Sequence, residues 1–157
     1  MKWLAEDLDV FQREKEYIDT VLLPLVPIQW GEHMSSVVRE GRFSLLLSEQ
    51  LERELKGRVI LSPAFTYLKA NSFEDTMRQL EAWLNEIQRA GVKSIVTLTS
   101  DVDWKIHISE KQTEGVRHIW LPAVPLEHMN PQSQQDFLDE MVGSVLKQIA
   151  EVWQTVK

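Results

Sequence analysis

Apolar residues repeat with two different periods along this chain, and the alternation of these periods predicts an alternation of helices and strands. Four short stretches are almost continuously apolar, which is typical of strands buried on both faces of a parallel sheet. Between them, apolar side chains return every three or four residues, as they do in amphipathic helices. The predicted strands cover residues 20–26, 58–65, 93–99 and 116–124. The predicted helices cover residues 4–18 and 42–56, a segment from Ser72 to Gly91, and a last segment that starts at Asn130.

Residues with known capping preferences mark the starts of two of these helices. Ser72 is followed by acidic residues, and Asn130 is followed by Pro131; both patterns are typical of helix N-termini. Pro24 interrupts the first predicted strand, and a proline cannot donate to a strand ladder. We therefore expect the strand to bulge or to end near Pro24. Residues 101–115 give no clear prediction.

Strands that alternate with helices predict a parallel sheet covered by helices on both faces. The expected fold is a three-layer α/β sandwich with a mostly parallel sheet of about four strands. The chain contains no repeat, linker or low-complexity segment, so we expect residues 1–157 to form one domain.

Charge and composition exclude several classes of function. The formal net charge is −7, which disfavours binding to nucleic acids or to anionic membrane surfaces. The chain has no cysteine, which excludes disulfides, thiol nucleophiles and thiolate metal sites. The longest apolar run, residues 21–28, is broken by two prolines and is far shorter than the ~20 residues that a spanning helix needs. We therefore expect a soluble cytoplasmic protein that binds neither nucleic acid nor membrane.

The candidate functional residues follow the predicted strands. In open parallel sheets, ligands bind beyond the carboxyl ends of the strands, near the point where the strand order reverses. The segments at such positions are residues 29–34, 66–69, 100–104 and 125–129, which follow the four predicted strands in turn. Those that follow the first and third strands carry polar and aromatic side chains. The predicted ligand-binding residues are Gln29, Trp30, Glu32, His33, Asp101, Asp103 and Trp104.

Two kinds of chemistry remain open for this set. The triplet Glu-His-Met occurs at residues 32–34 and 127–129, and histidine with carboxylate is the usual ligand set of Zn²⁺ or Mn²⁺. The alternative is that Glu32, His33, Glu127 and His128 are solvated loop residues, some of which cap the following helix. Trp30 and Trp104 either stack on a ligand or cover the end of the sheet. No glycine-rich phosphate loop follows any predicted strand.

The whole chain resembles the YpiF-like proteins of bacilli, a small uncharacterised family. The residues that carry the resemblance are Pro-Leu-Val-Pro-Ile-Gln-Trp-Gly-Glu-His-Met at 24–34, Leu-Ser-Pro-Ala-Phe-Thr-Tyr at 61–67 and the segment 101–104. This resemblance implies no known activity.

A more distant resemblance links residues 15–104 to the creatininase-type amidohydrolases. The segment 24–34 is similar in position to the first metal-binding segment of that family. Gln29 stands where the family has a glutamate ligand, His33 aligns with a family histidine, and Asp101 stands where a later histidine would lie. The resemblance implies a creatininase-like or flavodoxin-like topology with most of the metal ligands lost.

We therefore expect a non-catalytic domain that binds a protein partner, a second copy of the chain or a small ligand at its carboxyl-edge crevice. The alternative is a creatininase-like amidohydrolase that depends on a divalent metal. We expect no cofactor in the first case. In the second case His33, Asp101 and His128 would hold one metal ion such as Zn²⁺ or Mn²⁺.

Overall fold

A single parallel sheet organises the part of the chain that the computed structural model describes, which is residues 1–108 and 113–156. The strands are β1 (Thr20–Ile28), β2 (Val59–Leu61), β3 (Phe65–Leu68), β4 (Ser94–Thr99) and β5 (Val116–Trp120). The helices are α1 (Ala5–Arg13), α2 (Met34–Glu54), α3 (Phe73–Arg89), α4 (Val102–Ile108) and α5 (Pro131–Thr155), with a 3-10 turn at Leu126–His128.

The longest strand, β1, lies in the middle of the sheet. It pairs with β4 on one side, and with β2 and then β3 on the other, while β5 lies outside β4. These pairs, including β4 with β5, are parallel. The predicted α/β architecture with a parallel sheet is confirmed. The sheet has five strands in its described part because the strand predicted at 58–65 is two short strands, β2 and β3.

Pro24 accounts for this division of the neighbouring strand. In β1, the carbonyl oxygen of Leu22 accepts a hydrogen bond from the amide of Ser62 at 2.9 Å, toward the β2 side. Because successive residues of a strand direct their backbone groups to alternate sides, Pro24 is the next residue to face that way, and it has no N–H to donate. Accordingly, β2 ends at Leu61. The prediction that β1 itself ends near Pro24 is wrong, because β1 continues to Ile28.

The expected bulge lies in the neighbouring segment of the sheet, between β2 and β3, instead of in β1. Leu22 stands opposite Leu61, and Leu25 stands opposite Phe65. The neighbouring segment, from β2 to β3, therefore advances four residues while β1 advances three, which is the arrangement of a bulge. The pairing of β1 with β4 runs as far as Pro24, opposite Leu98, without a change of register.

Helices cover both faces of the sheet and bury two separate apolar clusters. On one face, side chains of β1, β4 and β5 pack against α2 and α5, and on the other face the sheet packs against α3 and Trp104 of α4. The first cluster includes Leu22, Val96 and Ile119 with Phe43, Leu47, Val145 and Ile149. The second includes Leu23, Ile95 and Phe65 with Leu80, Leu84 and Trp104. Together with the sheet, these helices form the three layers that the sequence predicts.

Two helix starts agree with the predicted caps, and other boundaries differ. Ser72 Oγ accepts a hydrogen bond from the amide of Asp75 at 3.1 Å, and Asn130 Oδ1 accepts one from Ser133 at 2.8 Å. In contrast, α2 begins at residue 34, eight residues before the predicted start at 42. The helix predicted at 4–18 ends at residue 13, and the strand predicted at 116–124 ends at residue 120.

The segment 101–115, for which the sequence gives no prediction, contains α4, and its residues 109–112 lie outside the described part. Within residues 1–108 and 113–156, no helix combines the length and the apolar character that a membrane span requires.

The variant Gly41→Ala is expected to lower the free energy of unfolding, although alanine favours helices more than glycine does. A Cβ atom at Gly41 in α2 would lie 2.8 Å from Val26 Cγ1 in β1. Such overpacking costs about 1–3 kcal/mol, which exceeds the gain in helix propensity of about 1 kcal/mol. Urea unfolding should show a net loss of up to about 2 kcal/mol.

Gly143→Ala is the matched control, because Gly143 lies in α5 with no atom within 4 Å of the added Cβ. This variant should gain up to about 1 kcal/mol in stability. If the two variants change stability in the same direction, the close packing of α2 on β1 is wrong.

Candidate binding site at the carboxyl edge of the sheet

The strand order places a reversal point between β1 and β4. The chain leaves β1 through α2 toward β2 and β3 on one side, and it returns through α3 to β4 on the other side. The segments that follow β1 and β4, residues 29–33 and 100–103, therefore diverge from the middle of the sheet. A crevice at such a point is where parallel α/β sheets bind ligands. We call this region, with the end of β3, the carboxyl edge.

A buried carboxylate lies at the centre of the carboxyl edge. Asp101 is 1% exposed and directly follows the last residues of β4. Its Oδ2 accepts a hydrogen bond from the Tyr67 hydroxyl at 2.5 Å, and its Oδ1 accepts one from Lys69 Nζ at 2.9 Å. The backbone N–H of Asp103 also donates to Oδ1, at 3.0 Å. Both oxygens of Asp101 are thus occupied by donors from the protein itself.

The network extends to the aromatic residues around Asp101. Trp104 Nε1 donates to the Tyr67 oxygen at 2.8 Å, and Lys69 Nζ lies 3.2 Å from Asp103 Oδ2. Trp104 is 2% exposed and packs edge-on against Tyr67 and Phe73, with ring centroids 5.8 and 4.9 Å away. Of the two readings of Trp104, the structure supports the one in which it covers the end of the sheet.

The pKa values of the network keep its groups in fixed protonation states. Burial and the hydrogen bond to Asp101 raise the pKa of Tyr67 above its ordinary value. For Lys69, burial lowers the pKa, but the hydrogen bonds and charges of Asp101 and Asp103 outweigh it, and the pKa is raised. At neutral pH, Tyr67 therefore remains a neutral donor and Lys69 remains a cation.

Glu40 approaches this network from α2, and the sequence does not single it out. Burial raises its pKa to about 7, the negative charges of Asp101 and Asp103 act in the same direction, and Lys69 opposes them. Glu40 Oε2 is shielded from solvent, with no hydrogen-bond partner in the described part of the chain. The carboxyl of Glu40 is therefore divided between its neutral and charged forms near neutral pH.

The space inside the network is small. The cavity beside Asp101 has a volume of about 40 Å³, whereas small-molecule sites usually measure about 300–1,000 Å³. A volume of this size accommodates only a few water molecules at about 10–15 Å³ each. Its lining comprises Tyr67, Leu68, Lys69, Asn71, Phe73, Thr76, Asp101, Asp103 and Trp104.

The predicted site residues fall into two groups. Asp101, Asp103 and Trp104 belong to the network, as described above. Gln29 is half-buried, and the other three, Trp30, Glu32 and His33, are exposed on the segment that follows β1. Trp30 is the most prominent of them, with 76% of its surface exposed.

Tyr67 and Lys69 are network residues that lie in the predicted edge segment 66–69 but outside the predicted ligand-binding set. They alternate with Leu68 along and just beyond β3, so they share a face with Phe65. This alternation is visible in the sequence, although it extends beyond the strand predicted at 58–65. The signal that could have identified them is a tyrosine and a lysine at period two after an apolar strand.

The residues proposed for a metal do not fit a metal ion. Asp101 is bound by Lys69 and Tyr67, His33 is exposed at the start of α2, and His128 is 74% exposed in the 3-10 turn. His128 lies 4.0 Å from Glu127, which itself pairs with Arg39 at 2.6 Å. In residues 1–108 and 113–156, no three His, Asp or Glu side chains are placed to hold one ion.

Comparison with known proteins gives a family and no activity. A family model described as "Protein of unknown function (DUF2487)" matches residues 9–153. The "Uncharacterized protein YpiF" of Bacillus subtilis (strain 168) is 36% identical over 156 residues, which cover 99% of this chain and 100% of that relative. No solved structure matches this chain. These matches confirm the resemblance to YpiF-like proteins, and they give no support to the creatininase resemblance.

Tyr67→Phe is expected to destabilise the protein by about 2–6 kcal/mol. The loss of the hydroxyl leaves Asp101 Oδ2 without a donor and Trp104 Nε1 without an acceptor, and each unpaired buried group costs about 1–3 kcal/mol. Tyr17→Phe is the control, because Tyr17 is 66% exposed and its change should stay within about 0.5 kcal/mol. If Tyr67→Phe and Tyr17→Phe lower the free energy of unfolding in urea by equal amounts, the hydrogen-bond network around Asp101 is contradicted.

Glu40→Gln is expected to stabilise the protein above pH 7 and to have little effect below pH 4.5. The ordinary pKa of Glu40 is 4.5, and in the folded protein it is about 7. Because the folded state holds the proton more tightly, the contribution of protonated Glu40 to stability is lost as the pH rises through this window. Unfolding of both proteins across the pH range measures this difference.

Glu32→Gln is the control for the loss of one charge, because Glu32 is exposed. Its stability relative to the unmodified protein should stay within about 0.5 kcal/mol at every pH. If the difference in unfolding free energy between Glu40→Gln and the unmodified protein stays constant from pH 4.5 to 7, the assigned environment of Glu40 is wrong.

Proposed function

Because this chain belongs to the DUF2487 family, which has no assigned activity, we propose its function from the site itself: a non-catalytic domain that binds a protein partner at the carboxyl edge. Trp30 is the anchoring side chain of this surface. The binding needs no cofactor. The absence of cysteine favours a cytoplasmic location for the protein and its partner.

The exposure of Trp30 is the observation that carries this proposal. A tryptophan with 76% of its surface in solvent buries a large apolar area when a partner covers it, and tryptophan is enriched among the residues that dominate binding energy. Met34 and Val38, in the first turns of the helix that follows, are 37% and 57% exposed. Apolar groups exposed together in this way are typical of interaction surfaces.

The closed network favours a protein partner over a small substrate. Catalysis by Asp101 would require a free oxygen, and both of its oxygens already accept hydrogen bonds. Catalysis by Lys69 as a nucleophile would require a neutral amine, and its raised pKa keeps it charged. The cavity of about 40 Å³ is also too small for a drug-sized ligand. Recognition then takes place on the outside of the network.

The charges of the surface favour a basic partner. Glu32 is exposed, and the Asp103 side chain, which shares Lys69 with Asp101, is still 67% exposed. The neighbouring cations are already engaged, since Lys69 pairs with Asp101 and Arg39 pairs with Glu127. A segment that carries Lys or Arg beside an apolar residue complements these carboxylates and Trp30, and such complementarity favours encounter and specificity.

The test uses synthetic peptides that carry Lys or Arg beside Leu or Phe, and matched peptides in which Glu replaces the basic residues. The basic peptides should shift the NMR resonances of the Trp30 indole and the Asp103 amide, and the acidic peptides should not. Trp30→Ala should weaken binding about thirtyfold, because central tryptophans contribute about 2 kcal/mol or more.

Trp3→Ala is the matched control, since Trp3 is 70% exposed and lies beside Leu8, Phe11 and Ile60, away from the residues of the carboxyl edge. It should bind the basic peptides with unchanged affinity. The proposal is wrong if no basic peptide perturbs Trp30, or if the affinity survives in Trp30→Ala and falls in Trp3→Ala.

A further inference from the structure

A second apolar surface lies on the N-terminal helix, separate from the carboxyl edge. Helix α1 has no buried residue. Trp3, Leu4 and Leu8 are 70%, 47% and 50% exposed, although leucines four residues apart form an apolar stripe on a helix. A helix of nine residues is shorter than the ~12–15 residues at which isolated helices become even marginally stable. Phe11 packs against the buried cluster of Ile18, Val21 and Ile60, and the exposed part of the stripe gains further stability when another surface covers it.

A groove runs beside this stripe. It has a volume of about 330 Å³, and engineered cavities of about 150 Å³ already admit a benzene ring. The groove is lined by Lys2, Trp3, Leu4, Ala5, Leu8, Phe11 and Ile60. The indole of Trp3, which projects into solvent at its border, matches the size and apolar character of this groove.

We propose that a second copy of this chain binds here, with the two α1 helices antiparallel across a two-fold axis. A two-fold contact requires one patch to contain both the projecting and the receiving surface. The patch on α1 contains both, because Trp3 projects beside a groove that accepts an aromatic ring. In the dimer, Trp3 of each copy occupies the groove of the other.

The charges at the two ends of the patch favour the antiparallel arrangement. Glu6 and Asp7 lie in the first turn of α1, whereas Lys15 follows the helix with its Nζ 6.0 Å from the centre of the Phe11 ring. Arg13 and Lys15 are offset by Glu14 and Glu16, so this end of the helix is balanced whereas the first turn is acidic. Antiparallel helices separate the two acidic first turns and bring Lys15 of one copy toward the first turn of the other. Parallel helices would place the acidic first turns side by side, which is destabilising.

Sedimentation of the full chain from about 1 to 500 µM should reveal a reversible monomer–dimer equilibrium, a range that covers typical weak self-association. Trp3→Ala and Leu8→Ala should each raise the dissociation constant about tenfold or more. Lys15→Glu should weaken the dimer by a smaller factor that disappears at high salt. Trp30→Ala, at the carboxyl edge, should leave the dissociation constant unchanged.

The absence of cysteine allows a clean test of the geometry. Gln12→Cys places a single thiol at an exposed position on α1, and Gln135→Cys places one at an exposed position on α5. A bifunctional thiol cross-linker should join two copies of the first variant and not of the second. A monomer at every concentration, a dimer insensitive to Trp3→Ala and Leu8→Ala, or cross-linking through residue 135 instead of residue 12 would each overturn the proposal. Circular dichroism and urea unfolding verify that each variant is folded.

Discussion

The buried carboxylate of Asp101 is the interaction on which the carboxyl edge depends. An ionised carboxylate out of water costs several kcal/mol unless charged and polar partners replace the solvent. Here the hydroxyl of Tyr67, the ammonium of Lys69 and the amide of Asp103 supply these partners. Because Tyr67 and Lys69 lie along and just past β3, and Asp101 follows β4, the network joins two strands that are separated in the sheet by β1.

This network explains how the surface above it is formed. With Asp101 satisfied from within, Trp104 is held against Tyr67 and closes the end of the sheet. The residues that remain available lie outside, on the segment after β1, where Trp30 is exposed. A rigid base of this kind reduces the conformational entropy that the surface loses when a partner binds. Gly41 contributes at the same place, since it allows α2, with Glu40, to approach β1 closely.

The sequence predicts the architecture because its signals are local. Alternating apolar periods indicate the strands and helices, and Ser72 and Asn130 indicate two helix starts through contacts within three residues. The division of the second strand was missed because the effect of Pro24 falls on its partner, about forty residues away along the chain. The rule for parallel sheets also predicts that Asp101 and Trp104 lie at the carboxyl edge, because their positions depend only on the end of β4.

The remaining features of the site depend on contacts that are distant in sequence. Tyr67 and Lys69 meet Asp101 across 34 and 32 residues, and no local pattern encodes such a pairing. The raised pKa of Glu40 results from burial together with charges on other elements, so it appears only when the chain is folded. Trp30 and Trp104 look equivalent in the sequence, and only the fold distinguishes the exposed ring from the buried one.

Hydrogen exchange of the tryptophan indoles, measured by NMR, distinguishes a closed network from an open one, because Trp104 and Trp30 lie on the inside and the outside of the same edge. The Trp104 indole proton, hydrogen-bonded to Tyr67, is expected to exchange only through large unfolding events, whereas that of Trp30 should exchange as a solvent-exposed group. If the Trp104 proton exchanges as fast as the Trp30 proton, the network opens in solution. Asp101 and its partners would then be accessible to a ligand, in contradiction to the account.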